Sequence, residues 1–191
     1  MKYTELYEFF NNIQHIPVLE WEHLISCTHE KNIRKGELIL RAGDAADSFN
    51  LIISGFMRMF YIDPKGREYT KSFRNKFDVA SPYAEMLQSI PSRIYIDALE
   101  DSKVLSLKYT EFVKLYDRHE CWNTIGRKFA EKYFILKEHR EYEFLLLTAK
   151  ERYDCFCKDY ADIIDKIPQY QIASFLGITP VSLSRILKDK P

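Results

Sequence analysis

The sequence predicts an α+β fold in which a run of short strands is set between two helical zones. Three observations carry this reading. Apolar residues recur at helical spacing before about residue 33 and again after about residue 108. Between those limits, turns marked by glycine and proline separate short runs rich in β-branched and aromatic residues. From Pro168 onward, two short amphipathic stretches meet at Gly177.

The first zone, about residues 1–32, carries Leu6, Phe9, Phe10 and Ile13, then Leu19, Trp21, Leu24 and Ile25, with Pro17 marking a break between two helices. The middle zone, about 33–108, begins with Leu38-Ile39-Leu40 and a turn at Arg41–Asp44. Leu51–Ile53 and Phe56–Ile62 flank Gly55, and Asp63-Pro64-Lys65-Gly66 is a hairpin turn in which proline presets φ and glycine takes the positive φ at the exit. Arg67 to Phe73 is the return arm, followed by strands at Tyr95–Ala98 and Val104–Leu107. Strands this short, with turns every few residues, predict a barrel or sandwich.

The third zone is helical to its end. Thr110 is the expected N-cap of a short helix through Tyr116, with Glu111 in its first turn. From Trp122 to Leu147 no proline interrupts, so one long helix is expected. A 4-3-4-3 spacing picks out Trp122, Gly126, Phe129, Tyr133, Leu136, Arg140, Glu143 and Leu147 as a packing seam. Two readings of that seam stand at this point: contact with a second copy, or a helix lying on its own β domain.

Composition narrows the function classes. With 28 Lys+Arg against 28 Asp+Glu, the formal net charge is zero, which excludes a protein that coats nucleic acid by bulk electrostatics. No run approaches the apolar length of a membrane span, and the N-terminus does not read as a secretory signal, so a cytoplasmic protein without membrane contact is expected. Cys27, Cys121, Cys155 and Cys157 form no disulfide framework and no C-x2-C cluster. His15, His23, His29, His119 and His139 show no i, i+4 repeat and none falls in 33–108, so neither a metal site nor a cofactor is expected. With no Ser–His–Asp arrangement and no phosphate-cradling glycine loop, no enzyme chemistry is expected.

The most informative stretch is Pro168–Leu187. Pro168 suits a helix start, and Ile172, Phe175 and Leu176 form its apolar face. Gly177 ends it, Thr179 caps the next helix, and Pro180 is that helix's first residue. Ala173 is small where two helices cross closely. On the second helix Leu183, Ile186 and Leu187 share the inward side, while Val181, Ser182, Arg185 and Lys188 share the outward one. Such a face suits the major groove: arginine bonds guanine bidentately, serine reaches phosphate, and valine touches a thymine methyl.

Gln171-Ile172-Ala173 through Arg185-Ile186-Leu187 resembles the helix-turn-helix of the Crp–Fnr superfamily of transcription regulators. Gly36-Glu37-Leu38-Ile39, Gly43-Asp44, Gly55 and the Asp63–Gly66 hairpin resemble the glycine pattern of its cyclic-nucleotide-binding β-roll. The resemblance implies a β-roll or jelly-roll sensor over 1–118, a dimerisation helix over 119–147 and a helix-turn-helix domain over 148–191. It also implies a homodimer through the 122–147 helix that binds double-stranded DNA at a two-fold symmetric site, with RNA polymerase as a further partner. Thr179, Val181, Ser182, Ser184, Arg185 and Lys188 are the DNA-binding candidates.

The chain departs from the family pattern at three places. In the effector stretch Tyr83-Ala84-Glu85-Met86, Glu85 matches the acidic position and Ala84 replaces glycine. Downstream, Arg93 lies near the family's phosphate-binding arginine, although alignment back from Ala98 puts Ser92 there, and Ile94, Tyr95 and Ile96 are bulky. A buried phosphate needs arginine and several N–H or O–H donors. The sensor is therefore not expected to be tuned to cyclic AMP, and Glu85, Ser92, Arg93 and Tyr95 stand as candidates for an unknown small-molecule effector. Arg93 holding a different anion, and a roll with no ligand in which Arg93 only pairs with an acid, are the alternatives.

Pro180 and Val181 occupy positions where the best-known members read bases with arginine and glutamate, so the operator cannot be copied from the family. After the recognition helix come Lys188-Asp189-Lys190-Pro191, with no C-terminal wing in evidence, and a hairpin is expected only before Pro168, if anywhere. Arg185, Lys188 and Lys190 outnumber the single acid Asp189, giving a locally basic end within a neutral chain. The competing function is a ligand- or partner-binding β-roll module whose helix-turn-helix no longer reads DNA specifically.

Overall fold

A computed structural model describes residues 2–188. Asp189 and Lys190, counted in the basic end of the sequence, lie outside the described residues. Two helices, α1 (Thr4–Ile13) and α2 (Val18–Ser26), precede seven strands: β1 (Thr28–Ile33), β2 (Leu38–Leu40), β3 (Ser48–Ser54), β4 (Met57–Ile62), β5 (Glu68–Arg74), β6 (Tyr95–Ala98) and β7 (Ser102–Lys108). A short helix, α3 (Tyr83–Gln88), lies between β5 and β6. Then come α4 (Tyr109–Arg118), α5 (Glu120–Leu146), α6 (Ala149–Asp159), a 3-10 turn at Ile164–Lys166, α7 (Gln169–Leu176) and α8 (Pro180–Lys188).

The strands form two antiparallel sheets, ordered β1-β7-β3 and β2-β6-β4-β5. Ile33, Ile52, Met57, Met59, Ile94, Ile96, Ala98 and Val104 from both sheets form one buried cluster, the core of the roll. Opposing Arg58 and Asp97 across the β4–β6 ladder form a bidentate pair at 3.1 and 2.8 Å, and Arg58 also bonds Glu68 at 2.6 Å. Burial opposes the charge on Arg58, but these two carboxylates override it and raise the guanidinium's affinity for its proton. In the hairpin, Asp63 accepts the N–H groups of Lys65 and Arg67, both at 2.9 Å, closing the turn before β5.

A second cluster joins α1, α2, β7 and the start of α5 through Leu6, Phe10, Trp21, Leu105, Trp122 and Ile125. Glu20 is pinned there: its Oε2 accepts Trp122 Nε1 at 3.1 Å and Arg118 Nε at 2.9 Å. Burial would raise the Glu20 carboxyl, yet those two bonds outweigh it and hold the group below the usual carboxylate range.

Several sequence expectations are corrected. Residues from Thr28 belong to β1 rather than to the N-terminal helices, so His29 sits on a strand, where it is exposed. Leu19 is 74% exposed and not part of the core. Thr110 is not an N-cap, because α4 begins one residue earlier behind Lys108 without a side-chain cap. Between Asp159 and Ile167 the chain makes a turn and the 3-10 helix instead of a hairpin.

On the α5 seam, the structure favours the second of the two readings for much of its length. Trp122 is buried, Phe129 stacks on Phe10 with centroids 5.5 Å apart, and Tyr133 Oη accepts the N–H of Val79 at 2.9 Å. Gly126 lets α4 approach: a Cβ there would lie 2.2 Å from Tyr116 Oη. Arg140 and Glu143 also face the chain's own C-terminal helices. A 4-3-4-3 spacing marks an apolar stripe but not what fills it, and here α1, α4 and the roll do. The solvent-facing apolar set on α5 is largely a different one: Phe134, Ile135, Tyr142, Leu145 and Leu146 are each more than half exposed, and of the seam Leu136 joins them at 46%.

Candidate functional site

The last two helices form a tight pair. Ala173 and Leu183 are fully buried at their contact, with Ile172, Phe175 and Leu176 around them. Gly177 takes φ 69°, while its N–H bonds Ser174 O at 3.2 Å and the N–H of Ile178 bonds Ala173 O at 3.0 Å, the paired bonds of a Schellman ending. A Cβ at Gly177 would also sit 2.7 Å from the Phe144 ring. Thr179 Oγ1 then accepts the N–H of Ser182 at 3.1 Å and caps α8.

The sequence-derived DNA candidates fall on one side of α8. Thr179, Val181, Arg185 and Lys188 are exposed, and Ser184 is half-buried. Ser182 is committed locally, its hydroxyl lying 2.9 Å from Thr179 Oγ1. Arg185 and Lys188 form no ion pair with any other described residue.

This helix pair is not free of the roll. Phe73, Phe56 and Leu99 share a buried cluster with Phe156, Phe175 and Ile163. Ser174 Oγ accepts the N–H of Thr70 at 2.9 Å and donates to Glu68 O at 2.8 Å, covering the edge of β5. Arg140 donates to Phe175 O and lies over the Phe175 ring at 3.6 Å, and Arg152 donates to the carbonyls of Leu176 and Leu147 at 3.2 and 2.7 Å. Burial lowers Arg140 to about 10.

The four effector candidates divide. Glu85 is buried, with Oε1 bonded to Arg93 Nε at 3.1 Å and Oε2 without a hydrogen-bond partner. Ser92 spends its hydroxyl on its own loop, donating to Ile94 O at 2.9 Å and accepting from Ile94 N at 3.2 Å. Tyr95 stacks on Phe60 with centroids 5.4 Å apart. The structure therefore pairs Glu85 with Arg93, while the recorded contacts of Ser92 and Tyr95 are with other groups.

A cavity of about 560 Å³ lies between the roll, the N-terminal helices and α5. Its walls include Met59, Tyr61, Phe129, Tyr133 and Leu136, and none of the four candidates lines it. Thr70 Oγ1, Ser72 Oγ and Arg74 Nε belong to lining residues and are buried without hydrogen-bond partners. Burial holds the Lys71 ammonium below the usual lysine range, while nearby Glu85 pulls the other way. These β5 groups escaped the sequence reading; the alternation Thr70, Ser72, Arg74 on one strand face was the available signal.

Residues 30–119 match the family model described as the cyclic nucleotide-binding domain. FixK2 from Bradyrhizobium japonicum is 24% identical, with a TM-score of 0.69 over 84% of this chain and 83% of that one. A protein from Eubacterium rectale assigned to the Crp–Fnr family of transcriptional regulators superposes with a TM-score of 0.75 at 16% identity, over 96% of this chain and 86% of that one. The chain has the Crp–Fnr fold. The c-di-GMP responsive global regulator CLP from Xanthomonas campestris shares it, with a TM-score of 0.74 at 14% identity over 90% of each chain. A search of curated proteins gave no match. Among the described residues no helix is long and apolar enough to cross a membrane.

Proposed function

We propose that this Crp–Fnr-fold chain is a dimeric, sequence-specific DNA-binding transcription regulator, with residues 1–118 as sensor, 119–147 as dimerisation helix and 148–191 as reader. The observation that carries the reading is the outward face of α8, where Arg185 and Lys188 stand exposed beside Val181 on a helix whose opposite side, at Leu183, is fully buried. A rigidly seated helix with an unspent arginine suits direct readout in the major groove. Dimerisation uses the apolar face of α5 built from Phe134, Ile135, Tyr142, Leu145 and Leu146, which spaces two recognition helices for successive turns of a duplex.

The sensor's ligand occupies the cavity beside β5. Its volume is ordinary for a small-molecule site, and its walls are mostly apolar. Unpaired donors and acceptors on Thr70, Ser72 and Arg74, with the Glu85–Arg93 pair nearby, favour a mainly apolar effector bearing one anionic or hydroxyl group. The test is selection of bound duplexes from a random pool by the full-length protein. Enrichment of a two-fold symmetric site whose affinity falls with salt supports the reading. Binding without sequence preference at any salt concentration favours the competing one, a roll that binds a ligand or a protein.

A further inference from the structure

We propose that His139, Glu143 and Asp159 form a binding site for a divalent transition-metal ion of the zinc class, clipping the long helix α5 to α6 at the base of the reading domain. This site does not rest on DNA recognition, and its three side chains edge the cavity assigned above to the effector. His139 and Glu143 are one turn apart on α5, and Asp159 is the last residue of α6. One ligand atom from each lies within 4.8 Å of the others. His139 Nε2 and Glu143 Oε1 are 3.2 Å apart. Two ligands of a tetrahedral ion with bonds of about 2.0–2.1 Å are separated by about 3.3 Å, so this pair already spans one edge of such a shell.

Glu143 supplies the independent sign of a ligand. Its side chain is only 7% exposed, and its Oε1 is buried with no hydrogen-bond partner beyond the ion-pair contact from His139. A buried carboxylate with a second one, Asp159, close by makes the spot favourable for a cation. The neighbouring guanidinium of Arg140 attracts Glu143 but spends its hydrogen bond elsewhere, being turned to the carbonyl and ring of Phe175. His139 and Asp159 are exposed and edge the large cavity together with Glu143, which gives an ion a route in. One imidazole nitrogen with carboxylate oxygens suits a borderline ion such as Zn²⁺ better than Ca²⁺ or Mg²⁺, which prefer all-oxygen shells. The Cys155 thiol hydrogen-bonds Glu143 from α6 and is a competing donor.

The experiment uses the full chain stripped with a chelator and titrated with Zn²⁺, following heat by calorimetry and, in parallel, the visible spectrum with Co²⁺. One ion per chain is expected, with binding at least tenfold weaker in His139→Ala and in Asp159→Asn. Both positions are exposed, and unchanged circular dichroism of the metal-free variants confirms folding. Glu143→Gln keeps the buried shape and removes the charge, with the same expected loss. Zn²⁺ should raise the melting temperature of the parent and leave these variants unmoved. Undiminished binding in His139→Ala and Asp159→Asn overturns the proposal, as does a loss confined to a Cys155→Ser/Cys157→Ser variant.

Discussion

Ser174 on α7 receives the backbone N–H of Thr70, a residue 104 positions earlier on the edge strand β5. The same hydroxyl donates to Glu68 O, so one side chain completes two groups of the sheet edge and docks the C-terminal helix pair on the roll. Ser174→Ala leaves the Thr70 N–H without that partner and should cost about 1–3 kcal/mol. Amide exchange at Thr70 should accelerate and the urea midpoint should fall. An unchanged Thr70 exchange rate would show that the bridge does not form in solution.

Arg185→Ala should weaken binding to the selected duplex by about 1–3 kcal/mol and relax preference at one base position. Lys188→Ala, by contrast, should weaken all duplexes alike and lower the salt slope by about one phosphate contact. Competition titrations at two salt concentrations separate the two behaviours. Equal specificity in the Arg185 variant removes that residue from base reading.

Ile135→Glu and Leu145→Glu place charge on the exposed apolar face of α5 without touching the chain's own core. Each should convert a dimer to a monomer in sedimentation velocity, because a buried unpaired carboxylate costs several kcal/mol at an interface. The thermal unfolding of the dilute monomer should be unaltered. Persistence of the dimer in both variants places the interface elsewhere.

Glu20 links folding to acid. Its folded-state affinity for a proton is held below the unfolded value by Trp122 and Arg118, so its contribution is full above the unfolded value near about pH 4.3 and fades as pH falls through the lower folded value. Glu20→Gln should therefore cost stability at neutral pH, about 2 kcal/mol from the weakened charge-assisted bonds. The gap between parent and variant should shrink below about pH 4. Urea midpoints measured from pH 7 to pH 3 check this, and a gap that stays constant through acid would contradict it.

The order of elements was legible because periodicity and turn chemistry are local. Leu38–Leu40 and Tyr95–Ala98 emerge with the limits expected, and the Gly177 turn with the Thr179 cap follows directly from residue types. Strand β1 was hidden because Thr28-His29-Glu30-Lys31-Asn32 is almost wholly exposed and lacks alternation. The partner of the α5 seam stayed open in the sequence because an apolar stripe is silent about what fills it. The His139–Glu143–Asp159 cluster needs α5 and α6 to fold back on each other, which a search for repeated histidines does not detect. The spacing His139-x3-Glu143 beside Cys155-x3-Asp159 was the faint signal.

The long helix holds the roll through Tyr133, whose hydroxyl accepts the N–H of Val79, and the C-terminal helix pair through Arg140, whose guanidinium donates to the carbonyl of Phe175. Those two grips lie two turns apart on one stiff rod, about 10 Å along its axis at about 1.5 Å per residue. Their spacing is fixed by the helix itself, so the two bodies cannot slide past each other while both grips hold. Any rearrangement that re-aims α8 must let go at one of them or roll the rod about its axis, and must also part Ser174 from the edge of β5. In a pair of such chains joined along α5, a roll on one side would turn its twin as meshed gears do.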